Sequence, residues 1–165
     1  MDIKYILIYT LKMFIQKVIR ALERHHVRYA LVGGYAVALH GAVRGTVDID
    51  ILVAHNLKAF KSTEKALRKI GLEPRLPVTA DEVFRYREEY IKNRNLVAWS
   101  FVNPKNPAEM VDVIITEDLQ DIGTVSKAAF GMKIRVAAIQ DLIRIKKKSG
   151  RQQDKEDIKA LEKLR

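Results

Sequence analysis

The stretch from residue 29 to residue 53 constrains the fold of this chain more than any other. Residues 29–32 are apolar and predict a short buried strand, which two glycines at 33–34 end. Residues 35–39 predict a short helix, and residues 47–53 alternate polar and apolar side chains as a half-buried strand does. A strand, a glycine turn, a helix and a second strand in this order predict a mixed β-sheet with helices packed on it.

The second strand of this stretch carries two aspartates. Asp48 and Asp50 are alternate residues, so their side chains are predicted to project from one face, about 7 Å apart along the chain. Two carboxylates this close repel one another, and a cation between them relieves the repulsion. Mg²⁺ prefers oxygen ligands and commonly takes one or two carboxylates together with substrate phosphates. A polar strand face in contact with solvent is the alternative interpretation of the same pair.

The glycine turn and a third aspartate make a metal-dependent phosphate site more specific. Gly33 and Gly34 lie at the strand-to-helix turn, where glycine lets a phosphate approach the backbone, although an ordinary turn needs the same residues. Asp112 lies within an apolar strand predicted over 110–115. Burying an unpaired charge is costly, so Asp112 needs a cation or a hydrogen-bond donor beside it. Three acids on neighbouring strands suit a pair of divalent ions.

Hydrophobic periodicity predicts the elements around this segment. They are helices over 11–22, 57–70, 80–93, 138–148 and 154–164, and strands over 96–102, 110–115 and 132–136. The strands on either side of the 103–107 turn are predicted to form a hairpin. With 165 residues and no repeat, we expect one domain, with an N-terminal helix over 1–26, an α/β core over 27–136 and C-terminal helices over 137–165.

In this order, Gly33-Gly34, thirteen residues, Asp48-x-Asp50 and a later strand with Asp112 resemble the nucleotidyltransferase superfamily that includes DNA polymerase β. More narrowly, the sequence over 33–50 resembles the minimal nucleotidyltransferases, among them abortive-infection toxins and antitoxin partners of toxin–antitoxin pairs. The resemblance covers most of residues 27–164, including a similar closing motif in the C-terminal helices. In one departure, much of the superfamily has Gly-Ser where this chain has Gly33-Gly34, so a serine hydroxyl contact to phosphate is missing.

The resemblance implies an α/β (α+β) nucleotidyltransferase fold and metal-dependent transfer of a nucleoside monophosphate from an NTP to a hydroxyl group. It implies two Mg²⁺ or Mn²⁺ ions held by Asp48, Asp50 and Asp112, with Asp112 also helping to take the acceptor proton. Two such ions stabilise both the attacking and the leaving oxygen of an in-line displacement. The residues that would bind the nucleotide are Gly33, Gly34, Arg44, Thr46, Lys146 and Arg151.

Two further aspartates near the C-terminus have a simpler interpretation than catalysis. Asp154 is predicted to be the N-cap of the last helix, with Asp157 in its first turn. A catalytic role for this pair stays open, as does an ion pair from Asp154 to Lys146 or Arg151. The lysine run over 146–148 is typical of a solvated helix face.

The net charge of +10 favours an acidic partner. Residues 132–165 contain eleven Lys and Arg against five Asp and Glu, a net +6. A basic patch beside an acidic metal site suits an RNA acceptor such as a tRNA end, and it suits an acidic partner protein equally. A catalytically silent, antitoxin-like binding partner is therefore an alternative function. An antibiotic-modifying transferase is a third, which the basic charge fits less well because aminoglycosides are cations.

The absence of cysteine excludes disulfides, thiolate metal sites and cysteine nucleophiles, and it is compatible with a reducing cytoplasm. Lysines at 4, 12 and 17 interrupt the apolar N-terminal residues, so no membrane span is expected there. We therefore expect a cytoplasmic protein that does not associate with a membrane.

Overall fold

The computed structural model describes residues 2–165 of the chain. Its helices are α1 (Ile3–Arg24), α2 (Gly33–Leu39), α3 (Leu57–Lys69), α4 (Ala80–Arg94), α5 (Ile139–Ser149) and α6 (Gln152–Glu162), with a 3₁₀ turn at Leu119–Asp121. Its strands are β1 (Tyr29–Val32), β2 (Ile49–Val53), β3 (Glu73–Pro74), β4 (Ala98–Asn103), β5 (Asn106–Ile114), β6 (Thr124–Ala129) and β7 (Met132–Ala137). Within this described part, no helix combines the length and apolar character that crossing a membrane requires.

The strands form one mixed sheet in the order β3-β4-β5-β2-β1-β7-β6. The strands of the glycine-turn segment, β1 and β2, pair antiparallel, whereas β2 pairs parallel with β5 and β1 pairs parallel with β7. The predicted mixed sheet with flanking helices and a C-terminal helical pair is therefore confirmed. The predicted hairpin is confirmed as well, since β4 and β5 are antiparallel neighbours.

The central strands are buried on both faces along β1, and helices α1 and α3 contribute core residues to one of these faces. Ile49 and Ile51, on either side of Asp50, are fully buried in the same cluster as Phe14 and Leu22 of α1 and Phe60 of α3. Burial of each such side chain stabilises the fold by about 1.5–3 kcal/mol. Because successive side chains of a strand point to opposite faces, this burial directs Asp50 to the other face of the sheet.

The structure differs from the predicted elements in three places. Strand β2 begins at Ile49, not at residue 47, because the ladders to β1 and β5 begin at residues 49–50. Strand β5 begins at Asn106, inside the predicted turn over 103–107 and four residues before its predicted start. The short strand β3 and the edge strand β6 were not predicted, since β6 mixes polar and apolar residues and pairs on one side only, with β7. Helix α1 lies within the N-terminal segment expected to be helical over 1–26 and begins two turns before its apolar stripe over 11–22.

Candidate active site

Three carboxylates meet where β2 and β5 run side by side. Asp50 of β2 is the direct register partner of Asp112 of β5. Asp48 lies immediately before β2, so the prediction that it belongs to the strand was wrong, although it remains two residues from Asp50. The Ser100 hydroxyl of β4 donates a hydrogen bond of 2.5 Å to Asp112 Oδ1. The structure thus brings all three predicted acids together and adds Ser100, which only the β4–β5 register reveals.

The electrostatics of this cluster call for a cation. Burial, followed by the charges of Asp112 and Asp48, raises the pKa of Asp50 to about 7, against the opposing effect of Arg151 and Lys146. Burial and the charge of Asp112 also raise the pKa of Asp48. Among residues 2–165, no Lys or Arg forms an ion pair with any of the three acids.

The donor set fits a divalent ion that binds together with a phosphate group. Carboxylate oxygens suit Mg²⁺ and Mn²⁺. No three His, Asp or Glu side chains within residues 2–165 are arranged so that they could hold a metal ion as they stand. Because Mg²⁺ usually completes its coordination with water and substrate phosphates, one or two of these carboxylates suffice when a triphosphate is present.

Gly33 and Gly34 are required because other side chains fill the space beside them. Gly33 opens α2 with a φ of +64°, and a Cβ atom there would lie 1.9 Å from Asp50 Oδ2. A Cβ atom on Gly34 would lie 2.6 Å from Thr46 Oγ1. The helix therefore begins at the glycines themselves, and its first backbone atoms lie directly against the acidic cluster.

We expect Gly33→Ala to lower nucleotide transfer at least tenfold and to destabilise the fold by more than the backbone strain alone. A left-handed φ costs a residue with a Cβ about 1–2 kcal/mol, and here the added atom also displaces Asp50. Gly131→Ala is the matched control, because Gly131 has a φ of +73° but no atom within 4 Å of an added Cβ. Urea unfolding measures the change in stability, and transfer rates measure the change in activity. Equal losses of stability in Gly33→Ala and Gly131→Ala would contradict the role of the contact between Gly33 and Asp50.

The segment before β2 places Arg44 and Thr46 beside the glycines. The guanidinium carbon of Arg44 lies 3.4 Å from the position of a Gly34 Cβ. Arg44 Nε donates a hydrogen bond of 3.0 Å to Asp157 Oδ1, and its Nη1 donates to the Gly45 carbonyl. The Thr46 hydroxyl lies 3.4 Å from the Asp48 carbonyl oxygen, to which it donates. Both predicted nucleotide-binding residues therefore border the glycine turn and the acids.

A buried ionic network joins the two C-terminal helices to this segment. Lys146, Asp154 and Asp157 are 5%, 2% and 3% exposed. Lys146 Nζ donates to Asp154 Oδ1 at 3.2 Å and to Asp157 Oδ2 at 2.7 Å. Burial opposes ionisation of Asp154, but hydrogen bonds from Arg151 and Lys146 among others outweigh it and hold its pKa at about 2. The network continues through Asp157 to Arg44, which lies beside the glycines.

Two predictions about this region need correction. Asp154 is not the N-cap of α6, and Asp157 is not in its first turn. The N-cap is Arg151, and Asp154 occupies the first turn, where its Oδ2 accepts from the Arg151 backbone N–H at 3.1 Å and from Arg151 Nε at 3.0 Å. The lysine run is not a solvated face throughout, because Lys146 is buried and Lys148 pairs with Glu117 at 2.7 Å. The ion pairs from Asp154 to Lys146 and Arg151, which the sequence left open, are both present.

The network divides the basic candidates into two kinds. The Arg151 side chain is 77% exposed, and its charge lowers the pKa of Asp50, so its guanidinium lies near the acids with room for a ligand. Lys146 is enclosed by its two carboxylates. We therefore treat Lys146 as a positioning residue that holds Asp157 and, through it, Arg44; a direct contact from Lys146 to phosphate stays a prediction.

Comparisons with known proteins agree with this geometry. No protein-family model and no curated protein sequence matches the chain. Among solved structures, the antibiotic-resistance factor ANT(2″)-Ia in solution superposes with a TM-score of 0.65 at 12% identity, over 93% of this chain and 83% of that one. ANT(2″)-Ia in complex with adenylyl-2″-tobramycin gives a TM-score of 0.59 at 12% identity, over 94% and 92%. A candidate nucleotidyltransferase from Thermotoga maritima gives 0.58 at 16% identity, over 100% and 97%.

These similarities extend over nearly the whole chain, and their TM-scores are above 0.5. Because the sequence identities are low, they establish the fold and nothing more. The mixed seven-stranded sheet and the structural neighbours lead to the same conclusion: this chain has the fold of the solved nucleotidyltransferases that it resembles.

Proposed function

We propose that this protein is a metal-dependent nucleotidyltransferase that transfers a nucleoside monophosphate from an NTP to a hydroxyl group and releases pyrophosphate. The observation that carries the proposal is the cluster of Asp48, Asp50 and Asp112, which has no cation of its own within residues 2–165 and lies against the Gly33 backbone. A structural role alone gives no reason to bring three carboxylates together without a partner, because their mutual repulsion destabilises the fold.

Each residue of the site has a distinct role in this reaction. Asp48 and Asp50 would hold the metal ions with the triphosphate, and Asp112 would hold the ion beside the acceptor. Bound Mg²⁺ or Mn²⁺ supplies positive charge to the phosphate and acceptor oxygens. Because Ser100 donates to Asp112 Oδ1, the other carboxylate oxygen is left to take the proton of the acceptor hydroxyl. The guanidinium groups of Arg44 and Arg151 would neutralise the triphosphate.

The acceptor that the charge favours is a polyanion, with an RNA such as tRNA first and an acidic protein second. The chain carries +10, and the basic C-terminal helices pack directly behind the candidate site. The complex of ANT(2″)-Ia with adenylyl-2″-tobramycin makes an aminoglycoside the third acceptor to test. A role in a toxin–antitoxin or phage-defence system belongs to the same proposal, since minimal nucleotidyltransferases occur there.

A transfer assay tests the function and names the acceptor class. The protein is incubated with Mg²⁺ and each α-³²P-labelled NTP, with total tRNA, cell protein or an aminoglycoside panel as acceptor. We expect label on RNA with the wild type and with Asp81→Asn, whose carboxylate lies in a surface ion pair with Lys61 away from the site. Asp48→Asn and Asp112→Asn should leave none. Label that survives in either variant would contradict the proposed metal ligands.

The alternative of a catalytically silent, antitoxin-like partner gives a different result. Such a protein would transfer no label to any acceptor and would show no rise in melting temperature with Mg²⁺ and an NTP. Mn²⁺ is tested beside Mg²⁺, because carboxylate sites accept both ions.

Arg151→Gln should raise the KM for the NTP about tenfold, equivalent to about 1.4 kcal/mol of lost binding, with a smaller effect on kcat. The reason is that Arg151 offers an exposed guanidinium near Asp50 but touches no reacting atom in this proposal. Lys155→Gln removes an exposed charge from the same helix and serves as the control. Steady-state kinetics over a range of NTP concentrations separates the two parameters. An unchanged KM in Arg151→Gln would remove this residue from the nucleotide site.

A further inference from the structure

The first three turns of α1 expose an unusual amount of apolar side chain. Seven large apolar residues there are between 46% and 79% exposed, namely Ile3, Tyr5, Ile6, Leu7, Ile8, Tyr9 and Met13. From Phe14 onward the same helix buries its apolar residues in the core. The first turns therefore project beyond the body of residues 2–165 as a helix that is apolar on nearly every side. A helix of this kind is normally covered by another surface.

The exposed residues divide into two rows on the helix surface. At 100° per residue, Ile3, Leu7 and Ile8 lie on the side of α1 that is buried in the core from Phe14 onward. Tyr5, Ile6, Tyr9 and Met13 lie on the opposite side and form a stripe about 100° wide. We call these four residues the outer stripe. Tyr9 and Met13 border a surface pocket together with Ile70 and Glu109, yet both stay more than half exposed.

The size of the outer stripe fits a small protein–protein contact. Its four side chains, each about half to seven-tenths exposed, present roughly 550 Å², so two copies would bury roughly 1,100 Å² together, at the small end of specific interfaces. Single exposed apolar residues are common, but a contiguous patch of this size marks an interaction site.

The charge of the patch points to the kind of partner. The chain carries +10, yet residues 2–13, which contain the patch, carry only Asp2, Lys4 and Lys12, a net +1. Two lysines offer little to attract an acidic partner, and they do not make the Lys- and Arg-rich polar face of helices that lie on anionic membranes. In a strongly basic protein, a nearly neutral patch is also the surface where two copies repel each other least.

We propose that the outer stripe of α1 pairs antiparallel with the outer stripe of a second copy of this chain, forming a two-fold symmetric dimer. Pairing centred at residue 7 places Tyr5 of each copy opposite Tyr9 of the other, and Asp2 beside Lys12 of the other copy. The contact is self-complementary, as a two-fold interface requires. Opposite charges at matched positions favour this register over a parallel one, in which Lys12 would lie beside Lys12 of the other copy.

Sedimentation equilibrium of the full chain up to about 100 μM tests the dimer. We expect a wild-type dimer, and a dissociation constant at least 100-fold higher in Tyr9→Glu. Tyr86→Glu is the matched control, because Tyr86 is a half-exposed tyrosine on another helix, and it should leave the dimer intact. Circular dichroism checks that each variant is folded. A monomeric wild type, or a dimer that Tyr9→Glu leaves unchanged, would overturn the proposal; a wild-type monomer that binds anionic vesicles would assign the patch to a membrane surface instead.

The register is tested by disulfide formation, for which a chain without cysteine is well suited. A mixture of Tyr5→Cys and Tyr9→Cys proteins, one carrying a tag, should form the mixed disulfide at least tenfold faster than either variant links to itself. Tyr86→Cys mixed with Tyr9→Cys is the control for random collision. Faster self-linking of Tyr5→Cys would overturn the antiparallel arrangement. Both tests are independent of nucleotide transfer, so they stand whether or not the proposed activity is found.

Discussion

Asp50→Asn is expected to abolish nucleotide transfer and to stabilise the protein in the absence of metal and nucleotide. Loss of a central metal ligand should cost at least about 10³-fold in rate, or about 4 kcal/mol of transition-state stabilisation. The gain in stability has a separate cause. Burial and the charges of Asp112 and Asp48 raise the pKa of Asp50 to about 7 in the folded protein, against 3.8 without these surroundings.

The pH window of this gain follows from the direction of the shift. Between about pH 4 and pH 7 the folded protein binds a proton at Asp50 that the unfolded chain has lost, so the free energy of unfolding falls as the pH rises. Above pH 7 the buried charge of Asp50 lowers the free energy of unfolding of the wild type by its full amount, about 4 kcal/mol for a shift of this size. The Asp50→Asn variant has no charge at this position and is not destabilised in this way. Below about pH 4 both proteins carry a neutral side chain, and their difference should disappear.

Urea unfolding of wild type and Asp50→Asn at pH 4, 6 and 8 measures this dependence. Asp81→Asn provides the control, since its carboxylate is half exposed in a surface ion pair. Addition of Mg²⁺ with an NTP should raise the stability of the wild type and leave that of Asp50→Asn nearly unchanged. A variant that is less stable than wild type at pH 8 would show that Asp50 already has a compensating partner and would count against a cation site at this carboxylate.

Lys146→Met is expected to lower the free energy of unfolding by about 3–5 kcal/mol and to reduce transfer through the displacement of Arg44. Removing Lys146 leaves two buried carboxylates without the ammonium group that both accept from, and breaking a buried pair from one side costs this much. For a chain of 165 residues, this corresponds to a fall in melting temperature of about 10 °C. Differential scanning calorimetry and urea unfolding give the two values.

Two further variants separate the network from the loss of one charge. Lys147→Met removes the exposed neighbour and should change stability by less than about 0.5 kcal/mol. Lys146→Met combined with Asp157→Asn restores the charge balance, so we expect the double variant to be more stable than the sum of the two single changes. Additive losses would mean that the two side chains do not form one unit. Lys146→Arg, which keeps the charge, should retain more transfer activity than Lys146→Met if positioning of Arg44 is the role of the network.

The parts of the site that could be predicted depend on short-range geometry. Alternation along a strand placed Asp50 and Asp112 on polar positions within apolar runs, and only thirteen residues separate the glycine turn from Asp48. The residues concerned are close together in the sequence, so strand alternation and turn preferences are enough to place them. The same rules failed at Asp154. An aspartate near the start of a helix can be the N-cap itself or the residue three positions after the N-cap, which bonds back to it. Which of the two it is depends on the residue at which the preceding turn ends.

The sequence by itself determined the order of the six helices and of five of the seven strands, the residue types available for a metal site and the positive charge of the chain. Each of these follows from composition or from contacts between near neighbours. The tertiary structure alone decided that Ser100 binds Asp112, that Thr46 fills the space beside Gly34, and that Arg44 meets Asp157, 113 residues away. It also decided that Lys146 is buried while the outer stripe of α1 is exposed. The physical reason is that burial and pairing of a side chain depend on which distant segment packs against it, and periodicity along the chain carries no information about that partner.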